Sequence, residues 1–301
     1  MNLIVKIGTA VFPNPVTVAS GTFGHAEEFY GQEEVKRLGA LVPKTVTLQA
    51  QQGNPPTRIC ETPAGMINAI GIENPGIDRF IDEKLPKLKA TGVPLIVSIS
   101  AHSEDDFALM VEKLNAAGGL SAVELNLSCP NLQKKVLVAQ SAEATFAVVR
   151  RVKEVSKYPV IAKLSPNVTD IAAIALAAEE AGADGISMVN TFMAMAIDIR
   201  KRCSRIGNFT GGLSGPAIRP IAVRMVCETA AKVKIPIIGM GGITNADDAL
   251  EFLIAGASMV AVGTYNFVDP RAPLAVLDGI KAYMKANKMT DIRELIGSIR
   301  R

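Results

Sequence analysis

Short apolar runs rich in β-branched residues recur along the chain, and longer stretches of helical period lie between most of them. The runs predict strands at residues 16–20, 40–46, 95–100, 122–128, 160–165, 185–190, 235–240 and 259–264. Between residues 104 and 117 the apolar side chains Phe107, Met110, Val111 and Leu114 recur at helical spacing. Residues 170–181, 218–233 and 246–255 behave the same way. Three of these stretches end in glycine, at Gly118, Gly182 and Gly256, as helices commonly stop. Strand–helix alternation repeated eight times implies parallel strands with right-handed crossovers. Eight such units close most simply into a (β/α)8 TIM barrel, a single domain over residues 1–301; a doubly wound open sheet is the competitor. Residues 47–84 form a long excursion after the second strand, rich in Gly, Pro and Asn, and loops this long are usually functional. In a barrel the excursion lies over the C-terminal face.

Composition narrows the class. Of 301 residues 49% are hydrophobic and 20% charged, which suits a large buried core and argues against disorder. A net charge of +3 is too small to suggest nucleic acid or an anionic membrane. Trp is absent and aromatics are sparse, so the core is aliphatic, as in parallel sheets. Cys60, Cys129, Cys203 and Cys227 are dispersed, with no CxxC pair, against both a disulfide framework and a cysteine-ligated cluster within the chain. Residues 1–11 lack the pattern of a signal peptide, and no apolar run reaches membrane-span length. The expected setting is soluble, reducing and cytoplasmic.

The predicted strands end in polar residues: Ser20-Gly21, Lys44-Thr45, Asn126 with Ser128-Cys129, Lys163, Asn190-Thr191, Gly241-Gly242 and Gly263-Thr264. A lone Ser or Thr there is most often just where polarity returns. Two lysines are harder to dismiss, because a buried ammonium is costly unless an anion pairs with it. Gly241-Gly242 after the seventh strand and Gly263-Thr264 after the eighth match the usual phosphate site of a barrel. Residues 211–215 add a third glycine-rich loop. Glu124-Leu125-Asn126-Leu127-Ser128-Cys129-Pro130-Asn131 sets a cysteine just past a strand end between two asparagines. Asn side chains both donate and accept, which suits the amide and imide edges of a pyrimidine. A thiol of lowered pKa can act as a general base near neutral pH. The plainer reading, a small hydrophobe under a loop, is kept for Cys60, Cys203 and Cys227.

Asn126-Leu127-Ser128-Cys129-Pro130-Asn131 resembles the catalytic loop of class 1 dihydroorotate dehydrogenases, in which that Cys is the base. Ser20-Gly21-Thr22-Phe23-Gly24, Lys44-Thr45-Val46-Thr47, Asn68-Ala69-Ile70-Gly71-Ile72 and residues 211–218 are similar to the class 1B subgroup. The similarity runs from about Pro15 to Gly279. It implies an FMN whose phosphate lies at Gly241, Gly242, Gly263 and Thr264, helped by Gly215. Ser20, Thr45, Asn126, Lys163 and Val189 would line the flavin, with Lys163 by N1 and O2. Lys44, Asn68, Ala69, Ile70, Gly71, Ile72, Asn126, Asn131, Asn190 and Thr191 would hold the substrate, with Lys44 near its carboxylate and also bordering the cofactor. The implied reaction oxidises (S)-dihydroorotate to orotate, a step of pyrimidine biosynthesis. The implied assembly is a homodimer joined to an electron-transfer subunit carrying FAD and a [2Fe-2S] cluster, which reduces NAD+.

The chain departs from the family pattern twice. Residues 132–141, within an expected lid at 130–141, lack the usual Gly-Gly and Phe-Gly, and Ser98 stands where an Asn commonly contacts FMN. Two alternatives stay open. One is the pyrimidine-reducing barrel of dihydropyrimidine dehydrogenases, whose catalytic Cys would fall near Ala139. The other is a flavin- or phosphate-binding barrel without redox turnover.

Overall fold

The structure is a computed structural model and describes residues 1–24, 32–128, 130, 131 and 136–300. In chain order the staves of the barrel are β1 (Val16–Val18), β2 (41–46), β3 (Ile96–Ile99), β4 (Ala122–Asn126), β5 (Val160–Lys163), β6 (Gly185–Met188), β7 (Ile237–Met240) and β8 (Met259–Val262). Seven of them form one parallel sheet in the order β1-β8-β7-β6-β5-β4-β3. The remaining gap is filled by β2. It meets β3 through parallel bridges at Leu41 and Val46, and β1 through Gly39 N–H to Val16 O at 2.8 Å and Thr17 Oγ1 to Ala40 O at 2.9 Å. The chain is thus a (β/α)8 barrel, as the alternation predicts.

Six of the eight predicted strands end a residue or two early, because their last residues turn out of the ladder into the loops at the C-terminal rim, while the second and seventh end where predicted, at Val46 and Met240. The seven regular strands are buried along their whole length, which explains why they read as continuous apolar runs rather than alternating ones. Helices Glu104–Ala117, Ile171–Glu180, Arg219–Ala230 and Ala246–Ala255 lie within two or three residues of their predicted bounds. Ser103, Asp170 and Asn245 cap the first, second and fourth through side-chain oxygens. Helices Ala142–Val155 and Ala272–Ala286 complete the outer layer. Among the described residues no helix is long and apolar enough to cross a membrane.

Two further pieces close the ends. A hairpin, Val5–Ile7 with Ala10–Phe12, plugs the base. Ile7 and Phe12 are wholly buried there, and Ile7 packs on Gly185 at the start of β6 so closely that a Cβ would lie 2.8 Å from it. At the opposite end, strands Ile59–Thr62, Gly65–Asn68, Gly211–Ser214 and Phe192–Ala194 form an antiparallel sheet over the mouth. The 47–84 excursion supplies two of these strands. Asn74, nearly buried, pins its start by donating to Thr47 Oγ1 at 2.7 Å and accepting from Thr47 N–H at 3.1 Å. Of the expected lid, residues 138–140 form a 3-10 turn in which Val138 and Ala139 are buried, and Ala139 N–H bonds Leu127 O at 3.0 Å.

Candidate functional site

The C-terminal rim gathers most of the polar residues singled out from the sequence. A chain of side-chain contacts crosses the barrel interior beneath it. Ser98 Oγ on β3, itself fully buried, meets Thr45 Oγ1 on β2 at 2.9 Å. Thr45 Oγ1 meets Ser20 Oγ, just past β1, at 3.1 Å. Lys163 Nζ at the end of β5 donates to Ser20 Oγ at 3.3 Å. Lys163 also pairs with Glu124 Oε1 on β4 at 3.5 Å, with both side chains almost wholly buried. Removing one partner of such a pair typically costs about 3–5 kcal/mol, since the other charge is left uncompensated.

Lys44 stands beside this chain. Its ammonium is close enough to Gly21 that a Cβ there would lie 3.2 Å from Nζ. Burial holds Lys44 below the ordinary lysine range; Glu73 opposes that lowering, and the charge of Lys163 adds to it. Two cations therefore face one space, an arrangement that favours an anionic or electron-rich occupant.

Next to the lysines lies a cleft of about 220 Å³, lined by Asn54, Asn68, Ala69, Ser128, Ser165, Asn167, Asn190, Thr191 and Gly212, among others. Asn126 Oδ1 accepts from Ser128 N–H and from Asn190 Nδ2, both at 3.3 Å. Asn190 Nδ2 also donates to Ser128 Oγ at 2.8 Å. These contacts hold the backbone entering residue 129. Cys129 lies outside the described residues, and so does the side chain of Asn131. Residues 68–72 reach the same region: Asn68 Nδ2 donates to Gly212 O at 3.3 Å, and Asn54 N–H bonds Ile70 O at 2.9 Å. Ile72, a β-branched residue, adopts a φ of 51°, an outlier of the kind that collects at ligand sites.

The cleft includes Asn68, Ala69, Asn190 and Thr191 of the residues expected from the sequence, with Gly211 and Gly212 of the third glycine-rich loop, and neither Lys44 nor the glycines at 215, 241, 242 and 263. Among the lining residues that sequence reasoning missed are Ser165 and Asn167. Asn167 Nδ2 donates to Thr191 O at 3.0 Å and to Ser165 Oγ at 3.1 Å. The signal was present: Ser165-Pro166-Asn167 follows Lys163 by one residue at a strand end.

The glycine loops meet on the other side of the rim. Gly242 has a φ of 76°, and a Cβ there would lie 2.7 Å from Gly215 O and 2.9 Å from Arg219 Cβ. A side chain at residue 242 is thus excluded where the two loops approach, and a loop of bare backbone suits a phosphate cradle. Asp248, another residue not foreseen, braces this loop. It accepts from Thr244 N–H at 2.8 Å and from Thr244 Oγ1 at 2.6 Å, and is ion-paired with Arg219. Gly263 and Thr264 open the 3-10 turn Thr264–Phe267, whose first N–H groups lack intrahelical partners by construction. Gly263 has a negative φ, so no left-handed backbone demands glycine there. Val189 is buried behind the rim, its N–H on Met240 O at 3.0 Å. The residues present therefore fit a phosphorylated, electron-rich ring: a backbone cradle for the phosphate and buried cations for the ring.

Comparison with known proteins points the same way. The family model described as dihydroorotate dehydrogenase matches residues 2–284. The chain is 50% identical over 298 residues to a protein of Desulforudis audaxviator, covering 99% of this chain and 97% of that one. It is 48% identical over 301 residues to one of Thermoanaerobacter pseudethanolicus, covering 100% and 99%. It is 44% identical over 299 residues to one of Geotalea uraniireducens, covering 99% and 98%. All three are named dihydroorotate dehydrogenase B (NAD(+)), catalytic subunit.

Proposed function

This chain belongs to the dihydroorotate dehydrogenase family, and from that premise we propose that it is the FMN-bearing catalytic subunit of an NAD+-linked dihydroorotate dehydrogenase. It oxidises (S)-dihydroorotate to orotate in pyrimidine biosynthesis, as one barrel domain in the cytoplasm. Family membership implies a flavin. The choice of FMN rests on the glycine-rich loops at Gly215, Gly241, Gly242, Gly263 and Thr264, which suit a phosphate, and on the resemblance. The observation that carries the reading is the convergence of Lys44 and Lys163 at one rim, beside a cleft lined with amides.

In this reading the carboxylate of dihydroorotate pairs with Lys44, while Asn68, Asn126, Asn190 and Thr191 bond the ring amides. Cys129 takes the proton from C5. Bound FMN supplies the acceptor for the hydride that leaves C6. The C5–H and C6–H bonds break as the C5–C6 double bond forms, so the proton and the hydride are both accounted for. Lys163 offers its positive charge beside the ring, and Ser20, Thr45 and Ser98 hold that edge of the site. A dihydropyrimidine dehydrogenase-like chemistry would need a thiol near residue 139, where this chain has a buried alanine.

The direct test is an anaerobic visible spectrum. Dihydroorotate should bleach the flavin of the purified chain, and dihydrouracil should not. Bleaching by dihydrouracil alone would refute the substrate assignment; no bleaching by either would leave a flavin-binding barrel without turnover. The chain has no strand–GxGxxG–helix unit for a dinucleotide, and its cysteines are too dispersed for a cluster. The name "catalytic subunit" borne by the relatives implies a second subunit for them. We therefore assign FAD and [2Fe-2S] to a partner in a heterotetramer built on a homodimer of this chain. NAD+ should reoxidise the reduced chain only when such a partner is added. Rapid NAD+ reduction by the pure chain would overturn that assignment.

Lys44 gives a pH signature. Its lowered pKa means the ammonium is lost earlier than for an ordinary lysine as pH rises. A bound carboxylate favours the charged form. Orotate affinity should therefore fall as pH climbs through the lowered pKa, and hold steady below it. Lys44→Met should weaken orotate by about 1.5–3 kcal/mol, the worth of a charged hydrogen bond, and flatten the profile. Spectral titration of the bound flavin across pH reads both effects. An unchanged slope in the variant would remove Lys44 from the carboxylate site.

A further inference from the structure

Glu124 is the one acidic residue in the middle of a barrel strand whose side chain points into the interior beneath the rim. It is 2% exposed. Its Oε2 accepts a hydrogen bond from Ser187 Oγ on β6 at 2.8 Å. Its Oε1 stands 3.5 Å from Lys163 Nζ and has no hydrogen-bond partner among the described residues. Burying a carboxylate is expensive, and Lys163 is the cation that offsets the charge here. Lys163 reaches the other way, toward Ser20 Oγ at 3.3 Å, with Lys44 adding to the positive field. Glu124 stands in register with Ile161, two residues deeper than Lys163 at the strand end, so the carboxylate lies behind the ammonium.

We propose that Glu124 is a positioning residue: it fixes the Lys163 ammonium at the rim and sets how much positive charge the flavin beside it experiences. The inference rests on the reading that FMN lies against Lys163. Reduction adds negative charge to a flavin, and a cation nearby stabilises the reduced form. A carboxylate behind that cation offsets part of its field, and the effect is strong where the surroundings are not water. Glu124 therefore holds the reduction potential down. That matters for an enzyme whose electrons must move on to a weak oxidant such as NAD+, because a flavin with too high a potential would keep them.

Glu124→Gln is nearly isosteric, keeps an acceptor for Ser187 and removes the charge. The midpoint potential of the FMN-bound chain, measured by equilibration with a reference dye at fixed pH, should rise. The expected shift is at least tenfold in the reduction equilibrium, about 30 mV for a two-electron couple. Glu124→Asp keeps the charge but draws it back from Lys163, so its potential should rise in the same direction by less; it serves if the Gln variant does not fold. Ser187→Ala leaves the charge in place and should leave the potential where it is. Lys163→Met separates the two readings. If it does not lower the potential, the flavin does not lie beside Lys163 and the placement of FMN is wrong. If it lowers the potential while Glu124→Gln leaves it flat or lowers it, the role given to Glu124 is wrong.

Discussion

Replacing Cys129 by alanine is expected to leave FMN bound and to slow its reduction by dihydroorotate by about 100- to 10,000-fold, the range typical of a positioned proton transfer. Asn190 holds Ser128 by its hydroxyl, and Asn126 accepts the Ser128 N–H, so the chain is anchored at Ser128, which lines the amide-rich cleft. A general base must reach the proton that it removes, and a thiol ionises readily enough to work near neutral pH. Cys129→Ser should retain some activity with its pH optimum moved upward, because a hydroxyl gives up its proton less easily. Single-turnover reduction followed by stopped-flow absorbance measures this step apart from later electron transfer. The exposed Cys203 and the half-buried Cys227 serve as controls, and alanine at either should leave the rate essentially unchanged. Reduction of the Cys129→Ala variant at near wild-type speed would take the base away from this residue.

The second large effect is on the cofactor. Gly242→Val should abolish retention of FMN through purification, with affinity lowered by about 100-fold or more, about 3 kcal/mol. A Cβ at this position would lie 2.7 Å from Gly215 O and 2.9 Å from Arg219 Cβ. Its φ of 76° is also one that a branched side chain resists. The loop cannot yield easily, because Asp248 ties Thr244 and Arg219 together behind it. Fluorescence titration of the apoprotein separates causes. Riboflavin has no phosphate, so its affinity should fall much less than that of FMN. Equal losses for the two would mean general damage to the barrel, and unimpaired FMN binding would refute the cradle.

The barrel was legible in the sequence because its strands are buried on both faces and its helices are long enough to show their period. The pieces at its two ends were not. The basal hairpin has strands of three residues, too short for an alternating pattern to stand out. The sheet over the mouth includes Gly211 and Gly212, which carry no side chain for a pattern to use. It also pairs residues 66–68 with residues 212–214, a contact that no local rule foretells. The site divided in the same way. Lys44, Lys163 and the glycine pairs stood out as residue types that a strand end does not otherwise need. Asp248 did not, since in sequence it is one of two acids in a helical first turn, and only the fold turns it back on Thr244. Glu124 could have been noticed: a carboxylate between Val123 and Leu125 in an apolar strand needs a buried cation, and the lysine that meets it comes from the next strand.

The hairpin wedged under β6 makes the barrel a flask with a stopper. Ile7 and Phe12 fill the closed end, so the polar rim at the neck is the door left to a ligand. Commerce at that door is sequential, and any conformational traffic control has to be installed there. The stoppered end has no such duty.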